Sequence, residues 1–189
     1  TPEALRDAPP LFNKTNLAPF LQPLLQALLA LMAPVDYAEN EYLMRCMVRT
    51  ITCAEETIAP HAPTLINALG ILLARVCGNP SNPTFNHCLF ESLSALVRFV
   101  GGGSGGSAVQ IGTVDKFEGA LFGPFTSVLT RDVTEFKQYV FQIFAQLLEM
   151  RKGHGISPGY WSLFQPCLTA SLWTRANTPA LSRLLTAYL

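Results

Sequence analysis

The sequence has little charge and no excess of either sign. Only 14% of its 189 residues are charged, and 13 basic residues balance 13 acidic ones. A typical soluble chain carries about 25% charged residues. Without a field of one sign, the chain has nothing to attract nucleic acid or an anionic membrane over a distance. We therefore expect no nucleic-acid binding, and we expect much of the apolar 49% of the chain to be buried or covered.

Residues that carry catalysis or bind metals are also scarce. His87 adjoins Cys88, but neighbouring residues on a helix point about 100 degrees apart, so the two cannot act as base and nucleophile. Zinc sites need short paired spacings such as CxxC or HxxxH, and neither occurs. The phosphate-binding pattern GxxxxGK is missing as well. The sequence predicts no catalytic residue, no metal, no cofactor and no enzymatic activity.

The number of cysteines is odd, and they show no paired spacing. This indicates reduced, packed thiols, as in a cytosolic or nuclear protein. The first residues contain neither a basic segment nor an apolar run, so no secretory signal is predicted. Because the chain starts without Met, we expect it to be an internal piece of a longer protein. The five cysteines are Cys46, Cys53, Cys77, Cys88 and Cys167.

One uncharged segment is long enough to cross a bilayer. No charge occurs between Lys14 and Asp36, which leaves two interpretations, a membrane span or a buried helix of a soluble repeat. Proline and glutamine within a helix that faces lipid are costly, and the segment contains both. We therefore predict a buried helix and no membrane span. The residues that decide this are Pro19, Gln22, Pro23 and Gln26.

A motif repeats along the chain with a period near 40 residues. LAPFLQPLLQAL, which begins at Leu17, aligns with IAPHAPTLINAL, which begins at Ile58, at an offset of 41 residues. A weaker copy, PCLTASL, begins at Pro166. Proline is tolerated in the first turn of a helix because its missing N–H has no intrahelical acceptor there. A period near 40 with proline early in alternate helices is typical of HEAT-type repeats.

The rest of the chain has apolar residues at helical spacing and no strand alternation. We predict an all-α fold, an α-solenoid of about four HEAT-type antiparallel helix pairs in a single domain, 1–189. Asp36 and Asp132 are the predicted N-caps of the second and sixth helices, and Pro23 and Pro166 should bend theirs. The predicted helices span about 15–33, 37–55, 60–77, 83–100, 114–130, 133–151, 158–172 and 178–189.

The segment GGGSGGS, residues 101–107, has the composition of a man-made flexible linker. It carries no packing information, and we expect it to replace a native loop between two helices. A natural low-complexity insert is the alternative.

Candidate contact residues follow from the solenoid. One helix of each hairpin lines the concave side of such a stack, so polar positions near the proline-bearing helices are candidates for partner contact. Ordinary solvated helix faces explain the same positions equally well. The candidate protein-binding residues are Gln26, Asn67, Arg75, Thr169 and Arg175.

Several long runs resemble the middle of the CAS-type exportins, a family within the importin-β superfamily. The resemblance extends from about Leu17 to Leu189 and is interrupted at 101–107. It is carried by ENEYLMRCMVRTI from Glu39, NPSNPTFNHCLFESLSALVR from Asn79, EGALFGPFTSVL from Glu118, DVTEFKQYVFQIFAQLLE from Asp132 and LWTRANTPALSRLL from Leu172.

The resemblance implies a transport receptor that shuttles between nucleus and cytoplasm. Receptors of this family return importin-α to the cytoplasm together with GTP-bound Ran, and their main Ran-binding repeats lie at the N-terminal end, outside the region of resemblance. Helices at the ends of a solenoid piece expose apolar faces, so we also expect self-association, measurable by sedimentation. The alternative function is a generic HEAT-repeat scaffold of the phosphatase-subunit or assembly-factor type.

Overall fold

The computed structural model describes residues 12–37, 39–102 and 111–189. These residues form helices joined by short turns, with no strand among them. The all-α prediction is therefore confirmed. The helices with eight or more residues are α1 (Leu21–Met32), α2 (Glu41–Ala54), α3 (Ala62–Val76), α4 (Pro83–Leu96), α5 (Ile111–Thr130), α6 (Thr134–Met150), α7 (Pro158–Cys167) and α8 (Thr178–Tyr188).

Shorter helical turns extend or connect these helices. An α-helical turn, Lys14–Leu17, leads into the 3₁₀ turn that precedes α1. A π-helical turn, Val97–Gly101, extends α4. The 3₁₀ turns are Ala18–Phe20, Val35–Tyr37, Glu55–His61 and Ala170–Leu172.

Consecutive helices pair as four hairpins, α1 with α2, α3 with α4, α5 with α6 and α7 with α8. The even-numbered helices stack on one another, α2 on α4, α4 on α6 and α6 on α8, while α3 packs on α5 in the other layer. The main contacts of each hairpin are thus with its sequence neighbours, which is the defining property of a solenoid. The α-solenoid prediction is confirmed.

The repeated prolines mark a change of helix type. Pro19 and Pro60, aligned in the sequence repeat, both lie in 3₁₀ turns that run directly into an α-helix. Pro23 lies in the first turn of α1 rather than deep within it. First-turn proline removes no intrahelical hydrogen bond, so the repeat signal reports how α1 and α3 begin. The weaker copy at Pro166 lies at the end of α7 instead.

Two predicted N-caps are wrong. Asn40, not Asp36, begins α2, and its Oδ1 accepts hydrogen bonds from the backbone N–H groups of Tyr42 and Leu43 at 3.0 and 3.1 Å. Asp36 lies in the preceding 3₁₀ turn.

Asp132 has a positive φ of 59°, and its carboxylate accepts from the Lys137 ammonium instead of capping α6. Lys137, one turn into α6, is nearly buried and requires that partner. The predicted helix 158–172 also ends early, at Cys167, directly after Pro166.

The predicted linker begins inside an ordered turn. Gly101 closes the π-helical turn Val97–Gly101 and is buried. A Cβ on Gly102 would lie 2.5 Å from the Arg98 carbonyl oxygen, so this position accepts only glycine without a backbone shift. Residues 103–107 of the predicted linker lie outside the described residues.

Two helical segments, Lys14–Met32 and Glu41–Val76, are long and apolar enough to span a membrane by length and composition alone. In the fold both segments pack within the stack. The turn and α1 bury Leu17, Leu21 and Leu25 in the shared core. Lys14 forms ion pairs with Glu55 and Glu56 of the 3₁₀ turn that connects α2 to α3.

A chain of aromatic rings runs through the core from α4 to α8. The Phe144 ring of α6 lies 4.7 Å from Phe122 and 5.3 Å from Phe125 of α5, and 5.8 Å from Tyr160 of α7, measured between centroids. Phe144 meets Phe125 and Tyr160 edge to face and Phe122 at a tilt of 43°. Edge-to-face pairs add about 0.5–1.5 kcal/mol each to the gain from burial. Further pairs extend the chain at both ends, Phe90 with Phe125 and Tyr160 with Tyr188.

Two tyrosine hydroxyls fasten the last hairpin, one to α6 and the other between α7 and α8. The Tyr160 hydroxyl donates to the Phe144 carbonyl oxygen at 2.9 Å, and the Tyr188 hydroxyl donates to the Tyr160 carbonyl oxygen at 2.6 Å. Burial raises the pKa of both phenols well above their usual range. Both phenols are therefore protonated at neutral pH and act as hydrogen-bond donors.

A partly buried ion cluster fastens the turn after α6 to α5. The Arg151 guanidinium contacts the carboxylates of Asp115 and Glu118, and its Nε donates to the Gly155 carbonyl oxygen at 3.1 Å. Burial raises the pKa of Glu118, against the opposing effects of Ser157 and Arg151. Desolvation of this carboxylate therefore outweighs the attraction of its partners.

We expect Phe144→Ala to lower the free energy of unfolding by about 3–5 kcal/mol, because it removes a fully buried ring at the centre of the aromatic chain. Urea denaturation followed by circular dichroism measures the change. Phe20→Ala is the matched control, since Phe20 is 61% exposed and should cost at most about 0.5 kcal/mol. Equal losses in the two variants would contradict the proposed role of the aromatic chain.

We expect Glu118→Gln to gain stability relative to the unsubstituted chain as pH rises. Because the folded-state pKa of Glu118 is raised above the ordinary 4.5, its contribution is present below that value and is lost as pH increases through the folded pKa. Glutamine does not titrate. Unfolding free energies measured from about pH 4 to pH 7 test this, and a difference that stays constant or falls would refute it.

Candidate functional site

The five predicted contact residues do not converge on one site. Gln26 is exposed on α1, Asn67 is exposed on α3, and Arg75 is half-buried near the end of α3. Thr169 and Arg175 are exposed between α7 and α8. They are spread over three hairpins, so they can act together only on a partner that extends along the stack.

Asn67 alone among them lines a large groove. This odd-helix groove lies between α3 and α5, has a volume of about 840 Å³, and extends to the π-helical turn after α4. Small or apolar side chains form most of its wall, and Ile71 is 55% exposed within it. Its lining includes Ala59, Ala62, Pro63, Ile66, Asn67, Gly70, Ile71, Ala74, Lys116, Ala120 and Pro124.

The chemistry of the odd-helix groove suits apolar contact more than charge. Lys116 and Glu56 are the charged residues in its described lining, one of each sign. Glu56 is already paired with Lys14, which lowers the pKa of its carboxyl through their hydrogen bond. Exposed contiguous apolar surface of this kind is typical of protein-contact sites.

A second cleft lies in the layer of even-numbered helices. This even-helix cleft is formed by α2, α4 and α6, together with the π-helical turn, and has a volume of about 470 Å³. Val48, Phe90 and Ile143 form a buried apolar floor. The polar residues in its lining are Arg49, Thr52, His87, Glu91, Ser94, Arg98, Tyr139 and Gln142.

Most polar groups of the even-helix cleft already have partners. The His87 ring lies between the Tyr139 hydroxyl, 3.2 Å from Nδ1, and the Glu91 carboxylate, 3.4 Å from Nε2. Ser94 exchanges hydrogen bonds with Gln146 at 2.9 and 3.1 Å. Both ring nitrogens of His87 are thus occupied, and neither is directed at a thiol.

Sequence reasoning missed the even-helix cleft because it selected the proline-bearing helices. Arg45, Arg49 and Thr52 have the spacing of one helix face, as do His87 and Glu91. That spacing shows that each face is polar. Only the stacking of α2, α4 and α6 brings these faces to one cleft.

The thiols lack the environment of reactive cysteines. Burial raises the pKa of Cys167 to about 11 and also raises the pKa of Cys88. Within the described residues, all five cysteines are unbridged, and no cluster of His, Cys, Asp and Glu could hold a metal ion.

We expect an alkylating reagent at about pH 8 to modify exposed Cys46 first. Cys88 and Cys167 are buried and less acidic than an ordinary thiol, so they should react only when the chain opens. Mass spectrometry of peptides over time provides the measurement. Modification of Cys88 as fast as Cys46 in the folded chain would revive the idea of a nucleophile there.

Large exposed apolar side chains occur on the first and last hairpins. Phe20, Leu31 and Val35 are examples at one end, and Trp161 and Trp173 at the other. The expected self-association through the end helices stays a prediction.

Comparison with known proteins gives a consistent match. A family model described as the C-terminus of CAS/CSE protein matches residues 4–189. The chain is 43% identical over 180 residues to Exportin-2 of Pagrus major, covering 95% of this chain and 18% of that protein. It is 40% identical over 182 residues to the Importin-alpha re-exporter of Schizosaccharomyces pombe, covering 94% of this chain and 18% of that protein.

The fold agrees with these similarities. A solved structure of the exportin Cse1 in its cargo-free, cytoplasmic state superimposes with a TM-score of 0.79 at 30% identity, covering 93% of this chain and 19% of that one. The chain thus spans about a fifth of the length of the relatives it matches. The family model lies in their C-terminal part, further along than the middle that the resemblance suggested.

Proposed function

Because this chain belongs to the CAS/CSE protein family, we propose that it forms a section of the helical scaffold of an exportin that returns importin-α from the nucleus to the cytoplasm with GTP-bound Ran. The observation that carries the proposal is the match to Exportin-2 proteins and to an Importin-alpha re-exporter along nearly the whole chain. A receptor with this role shuttles between nucleus and cytoplasm, and acts by binding rather than by catalysis.

The stacked hairpins suit this role mechanically. Each hairpin packs mainly on its neighbours, so small rotations at successive interfaces add along the stack and change its curvature. A ligand shifts such a protein only as far as it binds one curvature better than another. This section would supply part of the flexibility that changes the curvature of the receptor, and part of the surface that contacts cargo.

Asn67 and Arg175 remain the best placed of the predicted contact residues. Both are exposed, Asn67 in the odd-helix groove and Arg175 in the connection before α8. Gln26 and Thr169 are exposed as well, while Arg75 is half-buried. Reversing the charge at Arg75 would disturb packing as well as contact, so Arg175 gives the cleaner test.

We expect a chimeric receptor to bind importin-α when this chain replaces the aligned segment of the Schizosaccharomyces pombe protein. Binding in the presence of GTP-bound Ran should stay within about tenfold of the parent receptor, or about 1.4 kcal/mol, because 40% identity preserves the stack. Surface plasmon resonance with and without GTP-bound Ran provides the measurement.

In that chimera, Asn67→Ala and Arg175→Glu should each weaken importin-α binding at least about fivefold. Lys152→Glu is the control, since Lys152 is an exposed cation in the turn after α6. A folded chimera that fails to bind importin-α would overturn the transport proposal. Retained binding with unchanged affinity in both variants would remove these two positions from the interface.

A further inference from the structure

Two arginines from separate hairpins line the even-helix cleft without an acidic partner. Arg49 belongs to α2, and Arg98 belongs to the π-helical turn after α4. Among the described residues, no carboxylate lies within salt-bridge distance of either guanidinium, whereas Lys14, Arg151 and Arg183 each form such a pair. Arg45, Arg75, Arg131 and Arg175 also form no ion pair among the described residues, so what sets Arg49 and Arg98 apart is that both line one cleft.

The cleft strengthens the attraction that these arginines can exert. Its floor of Val48, Phe90 and Ile143 is buried and apolar, and charges beside a low-dielectric surface interact more strongly than charges in bulk water. The Arg98 guanidinium lies 4.5 Å from the centroid of the Phe99 ring, which restricts its motion.

The remaining polar groups do not satisfy the arginines. Glu91, the carboxylate in the described lining, already contacts His87. The Thr52 hydroxyl donates to the Val48 carbonyl oxygen at 2.8 Å. Arginine offers five N–H donors in a planar fork that matches a carboxylate. The cleft therefore presents donors in excess of acceptors.

We propose that the even-helix cleft binds an acidic protein segment, with Arg49 and Arg98 each receiving a carboxylate. Such a segment would bridge the first and second hairpins, so its binding would also restrain the rotation of one against the other. The zero net charge of the chain disfavours nucleic acid, because phosphate backbones are bound by extended basic surfaces. A cleft with two arginines instead matches a short run of Asp or Glu.

The test uses this chain and a fluorescein-labelled ten-residue peptide in which Glu alternates with Ala, followed by fluorescence anisotropy at about 0.1 M salt. We expect the acidic peptide to bind and its Gln-for-Glu counterpart not to bind. Arg49→Glu with Arg98→Glu should weaken binding at least about tenfold. The matched control, Arg131→Glu with Lys152→Glu, changes two exposed cations outside the cleft and should change affinity less than about twofold.

Three results would overturn the proposal. They are no binding of the acidic peptide, an equal loss in the cleft and control variants, and displacement of the peptide by a ten-nucleotide oligothymidylate that binds as tightly. Circular dichroism checks that each variant is folded. Should the charge-reversed variant unfold, Arg49→Gln with Arg98→Gln replaces it, and unchanged affinity would then refute the proposal. The peptide assay needs neither importin-α nor Ran, so its failure leaves the transport proposal standing.

Discussion

The fold depends on apolar surface that no hairpin can bury alone. Within each hairpin, each helix buries one apolar face against its partner helix and leaves a second apolar face for the next hairpin. The buried residues from Leu17 to Leu184 therefore form one core cluster. The aromatic chain centred on Phe144 is the densest part of this shared core, since it joins α5, α6 and α7. Stability and elongation therefore have the same cause, the burial of each hairpin on its neighbours.

The same arrangement explains why charge is scarce and where it remains. Central hairpins are covered on two sides, so few positions can hold a solvated charge, and a carboxylate placed inside, such as Glu118, requires an arginine beside it. The charged side chains that face solvent lie along the two layers of helices. Arg49 and Arg98 are notable because they share a cleft yet form no ion pair with Glu91, the carboxylate in its described lining. We attribute this to binding rather than to folding.

Local features of the sequence were predicted with unequal success. The offset of 41 residues correctly related the start of α1 at Leu21 to that of α3 at Ala62, because proline early in a helix and apolar spacing are both local properties. The cap at Asp36 was wrong because Asn40, four residues later, competes for the same role and has the geometry to fill it. The cap at Asp132 was wrong because Lys137, five residues later and nearly buried, takes its carboxylate as an ion-pair partner.

The sequence by itself determined the helical class, the repeat length and the family, because periodicity and long matching runs can be read along the chain. It did not determine the candidate sites. Asn67 was placed correctly on an exposed face, but the odd-helix groove beside it exists only where α3 packs on α5. The even-helix cleft likewise joins Arg49 to Arg98 across two hairpins. Such surfaces form between elements, so only tertiary packing decides which polar residues meet.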